Sequence, residues 1–454
     1  MNETKKTMIF GAVALALLLL AFVTTPSKVT PDAFLDQGEA FFPDFQDPNS
    51  ATSLEVISYN EETGEAVPFK VVFEEGKWRI PSHYDYPADG KERLAKTAAG
   101  VIGIKKDDFR SDNVADHEAC GVIDPLDETS TALSGRGQRV TIKGANDQIL
   151  ADFIIGKPVE GREGFRFVRV PEQKRVYACR VDLDLSTKFS DWIEADLLKV
   201  EKDDITEITL KDYSINERSG IVNQRDEVVL DKNGSTWAIN RLPAGKEVNA
   251  SKANELAKNL DELKIVGVRP KPEGITQSLK KTEEGIEISQ SDYLSLRSKG
   301  YFFSRDGSLL SNEGELQART SKGIVYTLRF GEVAYGSGFD VSAGSDGLST
   351  AQGGAAENRY LFITAYFDDN TFQEPKEPAN TDFLTKADSL WSDGDRANKV
   401  LYDAHETWRQ KVESGQQIAQ DLSERFSGWY YVISDESFKK LRLQRSDLLK
   451  DKSS

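Results

Sequence analysis

The residue types that most often carry chemistry are scarce in this chain or lack the required spacing. The three histidines, His83, His117 and His405, are too scattered for metal-ligand spacing, so no metal site is predicted. Gly135-x-Gly137 and Gly336-x-Gly338 lack the third glycine of a dinucleotide fingerprint, and neither clearly opens a helix. Both pairs are therefore interpreted as turns.

Motifs of common hydrolases are also missing from the sequence. It contains no Walker loop, no Gly-x-Ser-x-Gly nucleophile elbow and no His-Glu-x-x-His metal helix. Asp107-Asp108 and Asp368-Asp369 could supply an acid and a base, but polar, turn-like surroundings are typical of solvated carboxylates. No catalytic residue and no cofactor is predicted.

A hairpin pattern that occurs twice organises the elements around these residues. Val71 to Ile80 and Val228 to Ile239 each run from β-branched and apolar residues into a Gly-bearing turn and return through Trp-x-Ile. Further anchors follow both copies in the same order, which predicts an internal duplication; chance similarity between two α+β segments is the alternative. The paired anchors are Trp78 and Trp237, Pro87-Ala88 and Pro243-Ala244, Leu94-Ala95-Lys96 and Leu256-Ala257-Lys258, Gly156 and Gly331, and Asp196 to Lys199 and Asp447 to Lys450.

The amino-terminal residues differ from the rest of the chain. Met8 to Val23 is a run of 16 uncharged, almost wholly apolar residues, close to the roughly 20 that a membrane-spanning helix needs. A cleaved signal peptide is the alternative, although no Ala-x-Ala site follows the run. Lys5 and Lys6 predict a cytoplasmic amino terminus, a single pass through the inner membrane, and an extracytoplasmic location for the remainder.

The predicted fold class is α+β. We expect a single N-terminal transmembrane helix followed by two duplicated, mostly antiparallel sheet-plus-helix units, the second with a helical insertion. The predicted limits are 1–25 for a cytoplasmic stub and anchor, 26–50 for an extended tether, 51–200 for unit one and 201–454 for unit two. The 75 acidic and 58 basic residues, net −17, argue against a nucleic-acid partner.

Cys120 and Cys179 both fall in the first unit and on the side of the membrane expected to be oxidising. A disulfide between them is therefore possible. Two buried free thiols are the alternative, because Cys179 lies in a strand-like run and small buried thiols are common.

The second unit contains about 60 residues where the first has a short turn, Pro171 to Lys174. We predict that a helical excursion at about 369–426 is inserted into a β-hairpin, with Thr364–Tyr366 paired to Tyr430–Val432. Apolar residues at three- and four-residue spacing predict one apolar helix face. If that face does not pack on its own sheet, it is a possible partner-docking surface, led by Leu401, Trp408 and Val412.

With the paired Trp-x-Ile hairpins, the triplets Ile102-Gly103-Ile104 and Val266-Gly267-Val268, and the strands ending at Gly156 and Gly331, the chain resembles the family catalogued as domain of unknown function 4340. Members look like membrane-anchored envelope proteins, often encoded beside ABC-type permeases and gliding-motility auxiliary proteins. The resemblance implies a permease or auxiliary membrane protein as partner, and it implies no catalytic residue.

We therefore expect a non-catalytic, membrane-tethered binding or scaffolding protein that is accessory to an ABC-type transport or envelope-assembly complex. An envelope hydrolase with an unrecognised carboxylate site is one alternative, and a structural envelope protein without a transporter is another. Two convergent carboxylates with raised pKa would favour the hydrolase. An exposed apolar patch on the inserted helices would favour the binding protein.

Overall fold

A computed structural model of the chain describes residues 8, 10–18, 36–216, 221–272, 275, 289–304, 307–336, 339–343 and 357–452. The chain divides into two compact units, one of residues 1–68 and 94–185 and the other of residues 69–93 and 186–454. The predicted limits of 51–200 and 201–454 were drawn from the repeat and not from compactness, and they stay a prediction.

Residues 36–204, all of which the structure describes, are rich in strands and contain two α-helices. The strands are β1 (Ser53–Asn60), β2 (Glu65–Glu74), β3 (Lys77–Ile80), β4 (Tyr86–Pro87), β5 (Asp108–Ser111), β6 (Gln138–Lys143), β7 (Ile149–Pro158), β8 (Phe165–Arg169) and β9 (Val176–Arg180). The helices are α1 (Lys91–Ile102) and α2 (His117–Cys120).

Among the described residues from 205 onward, strands alternate with five further α-helices. The strands are β10 (Ile205–Asn216), β11 (Ile221–Asn233), β12 (Thr236–Ile239), β13 (Lys246–Val248), β14 (Gly267–Pro270), β15 (Tyr301–Phe303), β16 (Leu309–Ser311), β17 (Glu315–Thr320), β18 (Ile324–Ala334), β19 (Asn358–Phe367), β20 (Trp429–Ile433) and β21 (Leu449–Asp451). The helices are α3 (Ala250–Asp261), α4 (Gln290–Ser298), α5 (Phe339–Ser342), α6 (Asp393–Ser427) and α7 (Asp435–Leu441).

Antiparallel pairing dominates both large sheets, so the α+β class is confirmed. The first sheet has the order β4-β3-β2-β1-β6-β7-β8-β9-β5, and the second has the order β12-β11-β10-β17-β18-β19-β20-β14. The two predicted hairpins are confirmed, with Phe73 opposite Trp78 and Lys232 opposite Trp237. Gly76 and Gly234 have positive φ values of 77° and 61°, which a glycine adopts without strain in such tight turns.

The two sheet orders correspond strand for strand from β3 and β12 onward. Trp78 and Trp237 lie on strands at the same place in the two orders, and so do Gly156 in β7 and Gly331 in β18. In addition, α1 precedes β5 and α3 precedes β14 at matching points of the chain. The two sheets therefore share one strand order from β3 and β12 onward, and the internal duplication stays a prediction.

The predicted transmembrane helix is corrected by the structure. Among the described residues, no helix has both the length and the apolar composition needed to cross a membrane. Residues 10–18 of the predicted anchor are helical. The other residues of the run except Met8, and residues 26–35 of the predicted tether, lie outside the described residues.

The predicted pairing of the strands that flank the insertion is correct, but its register is wrong. In the structure Tyr360 lies opposite Val432 and Leu361 opposite Tyr431, near the start of β19. β20 begins just after α6 ends at Ser427, and it is only five residues long. This short strand pairs with the first part of β19 and does not reach Thr364–Tyr366. The later residues of β19 continue their pairing with β18 alone.

Each unit has its own apolar core. In the first, Cys120, Val122, Ile154 and Val176 form a buried cluster. In the second, a larger cluster surrounds Tyr301, Phe362 and Tyr430, whose rings are 5.4–6.0 Å apart between centroids. Aromatic pairs at such separations stabilise a core beyond the area that they bury.

A first prediction concerns Gly156 and Gly331. A methyl group on Gly156 would overlap the carbonyl oxygen of Cys120, and one on Gly331 would overlap the carbonyl oxygen of Lys299. We expect Gly156→Ala and Gly331→Ala each to lower the free energy of unfolding by about 1–3 kcal/mol, because the backbone must move. Urea unfolding measures this.

Gly428→Ala is the matched control. No atom lies within 4 Å of a methyl group built on Gly428, so its unfolding free energy should stay within about 0.5 kcal/mol of wild type. Equal losses for all three variants would contradict the role of close backbone approach.

A second prediction concerns the pH dependence of stability. His83 is 1% exposed; its Nδ1 is 3.0 Å from the Ser82 hydroxyl, and its Nε2 is 2.9 Å from the Ser342 hydroxyl. Burial, with a smaller effect of the Arg269 charge, lowers the pKa of His83 to about 4. The unfolded chain therefore binds a proton near pH 6.5 that the folded chain does not bind until about pH 4.

The stability that neutral His83 contributes is thus present above about pH 6.5 and is lost as the pH falls towards 4. We expect wild type to lose about 2 kcal/mol more than His83→Asn between pH 7 and pH 5, measured by urea unfolding. Parallel losses in the two proteins would show that His83 is not the group responsible.

Candidate functional site

The predicted cysteine pair lies in the first unit. Both cysteines are free thiols and buried, Cys120 at the end of α2 and Cys179 within β9. Burial raises the pKa of Cys120, and it raises the pKa of Cys179 to about 12. At neutral pH these thiols are therefore protonated, the form that is a poor nucleophile.

The predicted docking residues lie on α6, the 35-residue helix of the inserted segment. Leu401, Trp408 and Val412 are all half-buried. The Trp408 indole donates a hydrogen bond of 3.2 Å to the carbonyl oxygen of Phe372, which lies in the extended chain after β19. Their predicted role in docking stays a prediction, but these side chains already pack within the unit.

The position of α6 is fixed by its contact with β19. A methyl group on Gly415 would overlap the ring of Phe367 at the end of β19, and it would lie 3.0 Å from the carbonyl oxygen of Lys322. Closer to the end of the helix, Ala419, Leu422 and Phe426 are buried. The carboxyl-terminal half of α6 is therefore anchored in the unit.

Two short 3-10 helices, Asp382–Thr385 and Asp388–Leu390, precede the amino-terminal half of α6. Phe383, which is 1% exposed, packs its ring edge-on against Trp391 and Tyr402, at centroid distances of 5.9 and 5.6 Å. These contacts give the segment a small packed centre of its own.

The start of α6 is fixed by a capping box. Ser392 accepts a hydrogen bond from the backbone of Asp395, and the Asp395 carboxylate accepts one from the backbone of Ser392. Lys386 donates to both Asp395 oxygens, at 2.9 and 3.1 Å. Lys386 and then Ser392 lower the pKa of Asp395 to about 2. The link between the 3-10 helices and α6 is therefore well ordered.

Three large apolar side chains project from this packed segment. Leu384 is 55% exposed, Leu390 is 73% exposed and Val400 is 69% exposed. We call these three residues the apolar surface. Helical periodicity could not identify them, because two lie in 3-10 helices and Val400 is flanked by the half-buried Lys399 and Leu401. Their exposure is visible only in the structure.

A second candidate is a cleft of about 760 Å³ in the same unit, within the range of ligand sites. Strands β10 and β11 supply about half of the residues that line it, and the segments around β16 to β18 supply most of the others. The charged side chains that line it balance in sign: Lys211, Arg225, Arg241 and Arg329 against Asp212, Asp226, Glu227 and Glu315.

Glu315 lines the cleft and is 7% exposed. Lys211 approaches one of its carboxylate oxygens to 2.9 Å, and Arg329 approaches the other to 3.3 Å. The Tyr213 hydroxyl donates to Glu315 at 3.4 Å. Burial, with the Glu315 charge second, raises the pKa of Tyr213 to about 12, which keeps its proton available for this bond.

The carboxylates at the rim are also paired with cations. Arg225, donating at 2.7 Å, is the main cause that lowers the pKa of Asp212. Arg445 acts in the same way on Asp226, which it approaches to 2.8 Å. Carboxylates with lowered pKa are poor general acids at neutral pH, so the geometry suits the binding of a polar ligand better than acid catalysis.

The fold and these sites can be compared with known proteins. Residues 78–282 match the family model described as a domain of unknown function, DUF4340, so the predicted resemblance is confirmed. No curated protein matches the chain, and no solved structure matches it.

A third prediction tests the charge balance around Glu315. Replacing Arg329 by Met leaves the buried carboxylate with Lys211 as its remaining cation and removes the 2.8 Å bond from Arg329 to the Leu309 carbonyl. We expect a loss of about 3 kcal/mol in the free energy of unfolding, as for other broken buried ion pairs.

Arg409→Met is the control, because Arg409 is 55% exposed and pairs with Glu406 on the surface of α6. Its loss should be at most about 1 kcal/mol. Similar losses for the two variants would contradict the central role of Glu315 in the cleft wall.

Proposed function

We propose that this chain, which carries the domain of unknown function 4340 over residues 78–282, is a non-catalytic binding or scaffolding protein that acts outside the cytoplasm. Its partner is a permease or auxiliary membrane protein, and the chain is an accessory component of an ABC-type transport or envelope-assembly complex. The apolar surface at Leu384, Leu390 and Val400 carries this proposal.

The exposure and the preorganisation of the apolar surface support docking at this site. Leu384, Leu390 and Val400 keep large apolar side chains exposed on a segment that has a packed centre of its own, and removing these side chains from water against a partner would be favourable. The segment is preorganised by Phe383 and by the Ser392–Asp395 capping box. A preorganised surface loses little conformational entropy when it binds, which favours affinity.

The position of the segment also supports this proposal. It is inserted between the paired strands β19 and β20, while β8 and β9 of the first sheet are joined by a short turn. An insertion between two paired strands can project from a sheet at a small cost in free energy. The entropic cost of closing a loop rises only with the logarithm of the loop length. Such segments frequently carry function.

The partner class comes from the family resemblance and not from the chemistry of the surface. The apolar side chains require an apolar face on the partner, which extracytoplasmic parts of permeases can provide. An envelope hydrolase remains the main competing function. The cation-paired carboxylates of the cleft favour binding over hydrolysis.

A fourth prediction tests the docking role. The double variant Leu390→Asp, Val400→Asp should reduce recovery of the tagged chain's permease complex from native cells by about 30-fold or more, the loss of a typical hot-spot pair. Its unfolding free energy should stay within about 0.5 kcal/mol of wild type, because both side chains are exposed.

Two control variants separate docking from folding. Leu133→Asp changes a side chain that is 61% exposed in the first unit, and it should leave recovery unchanged. Trp408→Asp should lower stability strongly, because it removes the half-buried ring that bonds to Phe372. Full recovery with the double variant would overturn the proposed docking site.

A further inference from the structure

His405 lies on α6 and faces two glutamates of the extended chain that follows β19. Its Nε2 is 3.5 Å from Oε1 of Glu374 and 3.9 Å from Oε1 of Glu377. One ligand atom from each of the three side chains can be chosen so that all lie within 4.8 Å of one another. Among the described residues, this is the one group of such side chains found close enough to share an ion.

The separations suit a common metal ion better than direct bonding. With metal–ligand bonds of about 2.1 Å, two ligand atoms at the tetrahedral angle are about 3.4 Å apart, close to the two distances from Nε2. The glutamates are 60% and 77% exposed at their side chains, so small rotations can complete the set.

The imidazole itself provides a second, independent observation. His405 Nε2 is buried from solvent, yet it makes no hydrogen bond with any described residue, although Glu374 is near. Buried polar atoms in folded proteins nearly always have a partner. An ion between Nε2 and the two carboxylates would supply that partner.

We propose that His405, Glu374 and Glu377 bind a zinc ion, with water in the remaining coordination position. One imidazole and two carboxylates suit zinc, whereas magnesium prefers an all-oxygen set. With three protein ligands and one water, the site has one protein ligand fewer than a closed structural zinc site.

The elements around the site explain how it is held. Pro375 directly follows Glu374, and Pro378 directly follows Glu377, so proline restricts the backbone next to both glutamates. Trp408, one helical turn after His405, bonds to the Phe372 carbonyl, and its ring lies 5.0 Å from the imidazole. The ion would link the stretch that contains Glu374 and Glu377 to α6, the helix that also bears Val400. The site does not depend on the docking role.

The fifth prediction is the experiment on this site. Isothermal titration of the metal-stripped full chain with zinc chloride at pH 7.5 should show one site per chain, and magnesium chloride should show none. His405→Ala should abolish the zinc site, and Glu374→Gln and Glu377→Gln should each weaken it by at least about 10-fold, the lower bound even for outer partners of a metal.

Glu413→Gln is the matched control, because Glu413 is a similarly exposed glutamate of α6 that belongs to no metal group. Zinc should also slow hydrogen exchange of peptides covering residues 372–378 in wild type and not in His405→Ala, which must retain the helical circular dichroism of wild type. Absent zinc binding, or binding that survives His405→Ala, would overturn the proposal whether or not the chain docks to a permease.

Discussion

The packing of α6 against β19 is the contact on which the candidate sites of the inserted segment depend. Gly415 lets the helix backbone approach the Phe367 ring, and Ala419, Leu422 and Phe426 continue the buried face. With one half anchored in this way, the other half presents Val400 and His405 on a rigid helix. Rigid support of this kind is what a binding surface or a metal site requires.

Much of the fold could be predicted because its signals are local. Gly-bearing turns and runs of β-branched and apolar residues located both Trp-x-Ile hairpins. Long-range geometry was less accessible: the register of β19 against β20 was misplaced, since it depends on where α6 ends and how short β20 is. The predicted transmembrane helix rested on composition alone, and the described helices do not include one.

The candidate sites could be predicted only in part, for the same reason. The spacing of Leu401, Trp408 and Val412 identified the apolar face of a helix, but spacing cannot say whether Phe372 and its neighbours already cover it. The metal-ligand set escaped detection because His405 is distant in sequence from Glu374 and Glu377, and folding alone joins them. The cleft around Glu315 likewise joins residues from strands far apart in the chain.

The central claim is that the chain binds a membrane partner through the apolar surface of its inserted segment. Site-specific photo-crosslinking in native cells tests it most directly, with a photoreactive amino acid placed at Leu390 and, as control, at Ile149, which is 60% exposed in the first unit. The account predicts that the Leu390 probe forms a crosslink to a permease or auxiliary membrane protein and that the Ile149 probe does not. A crosslink from Ile149 alone, or none from Leu390, would contradict the account.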